Sequence, residues 1–250
     1  MARAENDPHS PDETWQWVPG LLGLPVECNA PKLQHLPWAT WWVALTCCVA
    51  SLLALLKSPP ECVALLKQYG FTPAQWDAMG GVTLLTSFFL HGGWVHLASN
   101  MYFLVIFGDN VEDRMGIGRF LLLLLGGHLA GALLHGALDP RSSLPLVGAS
   151  AGISAVIACY AIAFPKVRLA FLFWRWSWIY WLRMPAIAAL VLFVLLQIIG
   201  AALQLGGFSK VSALGHLGGL AVGGAAGVWS HFAQARERSK ALGGVYPAGR

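Results

Sequence analysis

The chain has 250 residues, of which 56% are hydrophobic and only 11% charged, with 16 basic against 12 acidic side chains. A soluble domain carries roughly 25% charged residues, and so few charges cannot cover the surface of a water-soluble fold of this size. The mean hydropathy of +0.59, with 12 tryptophans and 28 glycines, places the chain in a bilayer and excludes a disordered chain, a disulfide scaffold or a nucleic-acid module.

Residues 1–38 contain no continuous apolar stretch of the kind a cleaved leader needs. Pro8, Pro11, Pro19, Pro25, Pro31 and Pro37 divide them into short extended or turn pieces. We expect a cytoplasmic extension here, an intramembrane domain over residues 39–233 and a cytoplasmic tail over residues 234–250. Between successive charged residues lie six long uncharged stretches, Leu33–Leu56, Ala78–Gly108, Phe120–Leu138, Ser142–Pro165, Met184–Ser209 and Val211–Ala235, of 24, 31, 19, 24, 26 and 25 residues. About 20 apolar residues cross a bilayer as a helix, so the expected fold is all-α, a polytopic bundle of six transmembrane helices with both termini on one side. With the termini cytoplasmic, 12 of the 16 Lys and Arg residues lie on the inner side, as the positive-inside rule requires. The net charge of +4 then reads as topology and attraction to anionic lipid. The lipid bilayer is a partner, and nucleic acid is not.

The long segment Lys57–Phe89 is expected to form a loop on the outer side. In the second stretch His91-Gly92-Gly93-Trp94-Val95-His96-Leu97-Ala98-Ser99-Asn100 puts His96 and Asn100 four residues apart, on one helical face. Both can donate hydrogen bonds to a developing oxyanion. The same residues could equally glue helices together or, with His91, contact a metal; no HExxH or other carboxylate-bearing ligand cluster supports the metal. His128 and His135 in the third stretch share a face and read as interhelical hydrogen-bond groups.

The fourth stretch opens with Gly148-Ala149-Ser150-Ala151-Gly152. No strand precedes this GxSxG, so it is not the soluble hydrolase elbow. Gly148 and Gly152 could be a small-xxx-small packing face on which Ser150 is incidental. From Phe171 to Trp181 the chain reads FLFWRWSWIYW, aromatics alternating around Arg175, which suits a segment at the inner membrane interface. The sixth stretch carries glycine at 215, 219, 223 and 227, every four residues, clearing one face for close helix approach. His216 lies beside that face at the depth of Ser150. A serine hydroxyl needs a base to take its proton, and this pair supplies both. No Asp or Glu occurs between Asp139 and Glu237, so the economical reading is a Ser–His dyad. The five cysteines form no disulfide framework.

Together, HGGWVHLASNM, GDNVEDRMGIGRF, GASAGISAV and GHLGGLAVGG resemble the motifs of the rhomboid family of intramembrane serine proteases, in order, from about Pro37 to about His231. The resemblance implies a serine endopeptidase that cuts transmembrane or juxtamembrane segments of membrane-protein substrates without metal or cofactor. It implies Ser150 as nucleophile, His216 as base, and His96 and Asn100 with the Ser150 amide as the oxyanion hole. His91, Gly148 and Ala149 would shape the active-site cavity, and Glu112 and Arg114 would brace the inner end of the bundle. Two positions depart from the family pattern: Ala151 stands where many relatives have glycine, and Ser154 where some place an aromatic against the histidine. The base is then held by a different group or from another helix. The rival reading is a catalytically inactive relative that binds transmembrane clients; a transporter is a second. A bacterial plasma membrane is the expected host. Substrate and oligomeric state are not legible.

Overall fold

The computed structural model describes residues 14–175 and 178–243, and side chains except at 174–179 and beyond 233. Within these residues the helices are α1 (Trp17–Leu21), α2 (Trp38–Leu55), α3 (Pro59–Tyr69), α4 (Thr83–Phe89), α5 (Trp94–Met115), α6 (Ile117–Leu138), α7 (Ser150–Ala163), α8 (Ala186–Leu205) and α9 (Ala213–Gly243). Helix α7 is the centre. Alanine, glycine, serine, valine and isoleucine make up all of it but Cys159 and Tyr160, and residues from Ala151 through Val156 and from Ala158 through Ala161 are all buried. Helices α5, α6, α8 and α9 pack around it.

The glycines of α9 make its approach to α7 possible. A β-carbon at Gly219 would overlap the carbonyl of Ala151, and one at Gly223 the carbonyl of Ala155; at Gly227 it would meet the Cys159 backbone at 3.2 Å. Gly218 faces α6 instead, where a β-carbon would sit 2.7 Å from the Ala130 carbonyl. Backbones that touch this closely gain dispersion contacts along their whole length.

Helices α2, α6 and α8 are long and apolar enough to cross a membrane. The six expected stretches do not all become simple spans. The second is broken at Leu90–Gly93 into α4 and α5, and α5 runs past the uncharged stretch to Met115. Helix α7 has only 14 residues, about 21 Å at 1.5 Å per residue, against a hydrocarbon core of about 30 Å.

The expected brace forms through Glu112, which is buried. Its carboxylate accepts the amides of Ala39 at 2.9 Å and Thr40 at 2.7 Å and the Thr40 hydroxyl at 2.8 Å. It therefore caps α2, which begins after Pro37, an N-cap residue whose own side chain accepts nothing. The Arg114 guanidinium lies 5.0 Å over the Phe164 ring.

The fold is not all-α. Strands β1 (Val26–Cys28), β2 (Arg168–Arg175) and β3 (Trp178–Pro185) form an antiparallel sheet in the order β1-β2-β3. The aromatic segment is thus a hairpin, paired from Arg168↔Pro185 to Arg175↔Trp178. Alternation along β-structure turns successive residues to opposite faces: Trp181 is buried while Leu182 is 42% exposed. Residues 174–179, which hold three of the segment's tryptophans, lie outside the described side chains.

Part of the expected N-terminal extension belongs to this sheet. Val26 pairs with Ala170 and Cys28 with Arg168, Trp17 packs edge-on against Trp181 at 5.5 Å, and the Tyr102 hydroxyl donates to the Pro25 carbonyl at 2.6 Å. Glu27 turns toward the bundle and accepts the Tyr160 hydroxyl. Burial pushes its carboxyl up to about 8, against the opposing pull of the Tyr160 hydrogen bond. The expected N-terminal residues 1–13 and tail residues 244–250 lie outside the described residues.

Candidate active site

Ser150 is the first residue of α7, and His216 lies in the first turn of α9. The α7–α9 seam brings the two together. His216 Nε2 is 2.9 Å from Ser150 Oγ, and both side chains are half-buried. The other ring nitrogen, Nδ1, is 2.7 Å from Oε1 of Gln197 on α8. The Phe193 ring, one turn earlier on α8, lies 6.4 Å from the imidazole at a 32° tilt. Sequence reasoning passed over both α8 residues. A signal existed for Gln197, because an amide in the apolar stretch 184–209 needs a reason to be there.

His96 sits in the first turn of α5. Its Nδ1 accepts the Gly92 amide at 3.4 Å, which leaves the ring proton on Nε2. Nε2 points at Gly148, where a β-carbon would lie 2.9 Å from it. Gly148 adopts φ +118°, a backbone conformation that glycine adopts without strain, and so turns the chain into α7 beneath the His96 ring. Its neighbour Ala149 is fully buried. Asn100 is also buried and spends one amide N–H on the His96 carbonyl at 2.8 Å, leaving its second N–H.

His91 does not face the cavity. It is fully buried, its Nδ1 lies 2.9 Å from the Ser51 hydroxyl of α2, and its ring packs edge-on against His96 at 5.1 Å. The group expected to line the site instead supports a residue that does. His128 and His135 form interhelical contacts, His128 with the Leu84 carbonyl at 2.9 Å and His135 with the Ser212 hydroxyl at 2.6 Å. Ser154 turns back on its own helix, donating to the Ser150 carbonyl at 2.8 Å.

A cavity of about 1070 Å³ opens from the dyad. Its polar end holds His96, Asn100, Ser150, His216, Ser212 and Lys210. From there it continues as an apolar cleft between α5 and α8, past Phe103, Phe107, Leu192 and Phe193, to Pro25 and Phe171 beside the sheet.

The sequence model of the Rhomboid domain matches residues 79–231, which include every residue of this constellation. The chain belongs to the rhomboid family. It is 25% identical over 187 residues to Rhomboid protein 1, mitochondrial, of Saccharomyces cerevisiae, covering 73% of this chain and 51% of that protein. It is 33% identical over 138 residues to Rhomboid-related protein 1 of Caenorhabditis elegans, covering 54% and 36%. With RHOMBOID-like protein 4 of Arabidopsis thaliana it shares 34% over 143 residues, covering 57% and 32%. The chain thus spans about half or less of the length of these rhomboid relatives. They are eukaryotic, one of them mitochondrial by name, and lend no support to the expected bacterial plasma membrane.

Proposed function

We propose that this rhomboid protein is an intramembrane serine endopeptidase that cuts transmembrane or juxtamembrane segments of membrane proteins. The observation that carries the reading is the 2.9 Å contact between Ser150 Oγ and His216 Nε2 at the polar end of a cleft shaped for an apolar chain. In the reaction, Ser150 Oγ attacks the peptide carbonyl carbon as its proton passes to His216 Nε2. The carbonyl oxygen, now negative, is met by Nε2–H of His96, the second N–H of Asn100 and the Ser150 amide. His216 returns its proton to the leaving nitrogen as the C–N bond breaks. Water then hydrolyses the acyl-serine, with the same histidine as base.

The short α7 supports this reading physically. A central helix of about 21 Å starts below the membrane surface, so its first residue sits at a depth a transmembrane segment reaches while the polar end of the cavity admits water. The apolar cleft between α5 and α8 gives such a segment a place to lie without exposing its backbone to hydrocarbon. In this topology α2, α5, α6, α7, α8 and α9 are the six crossings, both termini are cytoplasmic, and the sheet lies at the inner interface. Membrane-protein substrates and the bilayer are its partners, and neither metal nor cofactor takes part.

Labelling with a fluorophosphonate, which acylates activated serines, tests the assignment alongside cleavage of a reporter transmembrane peptide. Wild type should react, and Ser150→Ala and His216→Ala should each lose at least about 10³-fold in cleavage rate. A folded wild type that neither labels nor cleaves would favour a client-binding relative without activity.

A further inference from the structure

We propose that Gln197 is a positioning residue: its side-chain carbonyl holds the Nδ1 proton of His216 and so keeps Nε2 as the base facing Ser150. The inference rests on the protease reading above. A neutral imidazole carries one N–H and one lone pair. With the proton on Nε2, the ring would donate to Ser150 Oγ and could not accept its proton. Which tautomer is present is decided by the partner of the other nitrogen, and here that partner is Gln197 Oε1 at 2.7 Å.

Among the described residues no second group bonds His216 Nδ1. No Asp or Glu occurs between Asp139 and Glu237, and at 1.5 Å per residue Glu237 is roughly 30 Å along α9 from His216, so neither dyad helix offers a carboxylate near the base. One turn after the serine stands Ser154, whose hydroxyl is bonded to the Ser150 carbonyl. The contacts on the far side of the base come instead from α8, an acceptor from Gln197 and a ring face from Phe193. The consequence is mechanical: the base on α9 is aligned by the helix that forms one wall of the cleft.

The test uses the full-length protein in detergent micelles with 15N-labelled histidine, the His216 signals being assigned by comparison with His216→Ala. In wild type at neutral pH, Nδ1 should show the protonated shift and Nε2 the lone-pair shift. Gln197→Met, similar in shape but without the acceptor, should lose this bias. Its kcat should fall roughly 10- to 100-fold with KM unchanged, the effect of one lost hydrogen bond. Gln197→Glu, which keeps an acceptor oxygen at the same reach, should restore both the tautomer and cleavage.

A wild-type His216 protonated at Nε2 would overturn the proposal whether or not the protein cleaves anything. So would a Gln197→Met protein with wild-type shifts and wild-type kcat. If Gln197→Met does not fold, the wild-type spectrum decides alone, since a His216 without the Nδ1-protonated signal refutes the acceptor role. A Nδ1-protonated, Gln197-dependent His216 in a wild type that does not cleave leaves the positioning intact and removes the protease reading.

Discussion

The two helices that meet His216 are built in opposite ways. Helix α7 presents small residues on nearly every side and is buried almost throughout; α9 reaches it through glycines that leave no room for a β-carbon. Helix α8 buries only Ala186, Leu190, Ala201 and Gln204, and most of its other residues are leucine, isoleucine or valine. The first pairing fixes the distance between Ser150 and His216 by backbone contact. The second holds a cleft wall through a few side chains, which under the proposed protease function suits an element that makes room for a substrate segment. A rigid seam and a lightly held wall thus meet at His216, and substitutions should separate them.

The largest effect is expected in the seam. Gly219→Val places a branched side chain into the Ala151 carbonyl, beyond what rotamer changes can relieve. The overlap costs at least several kcal/mol, so thermal unfolding in micelles should show a collapsed transition and cleavage should vanish. A folded, active variant would refute the close-packed seam.

A smaller effect separates the sheet from the seam. Glu27 is raised to about 8 from 4.5, so between these values the folded form holds a proton that the released strand gives up. Docking of the strand is therefore strongest below about pH 4.5 and weakens as pH rises toward 8, by up to about 1.4 kcal/mol per pH unit. Hydrogen exchange at residues 26–28 should speed up from pH 5 to pH 8 beyond the intrinsic rate. Glu27→Gln should remove the excess, and an unchanged pH dependence in that variant would refute the linkage.

Glu112→Ala removes the cap of α2 and should cost about 1–2 kcal/mol, read as a lowered Tm with the chemistry of the dyad intact. The smallest effect belongs to the outer face of α8. Leu195 is 53% exposed to what the membrane reading makes lipid, and Leu195→Ala should change stability by less than about 0.5 kcal/mol and leave kcat alone. A large loss there would show that α8 is seated as firmly as α9.

Much of the site was legible in the chain. Ser150, His216, His96 and Asn100 announce themselves because polar groups in apolar stretches are costly, and the four-residue glycine repeat announces which face of α9 approaches a neighbour. Gln197 carried the same kind of signal and was passed over. The β-sheet was harder to see: β1 is three residues among prolines, and a strand that short has no periodicity until β2 lies beside it. His91 was read as a cavity residue because it shares a motif with His96; yet Leu90–Gly93 is not helical, so the two histidines are not held to a common face.

The sequence by itself determined that the chain lives in a membrane, where its apolar helices run, which helix faces are small, and which side chains can act as nucleophile and base. These are properties of composition and local period, carried by residues close together in the chain. The tertiary structure alone decided that Gln197 meets His216 across 19 residues, that Glu27 enters the bundle beneath α7, and that His91 turns away from the cavity. Those contacts depend on the relative placement of helices and strands, which packing sets after each segment's own preferences are satisfied.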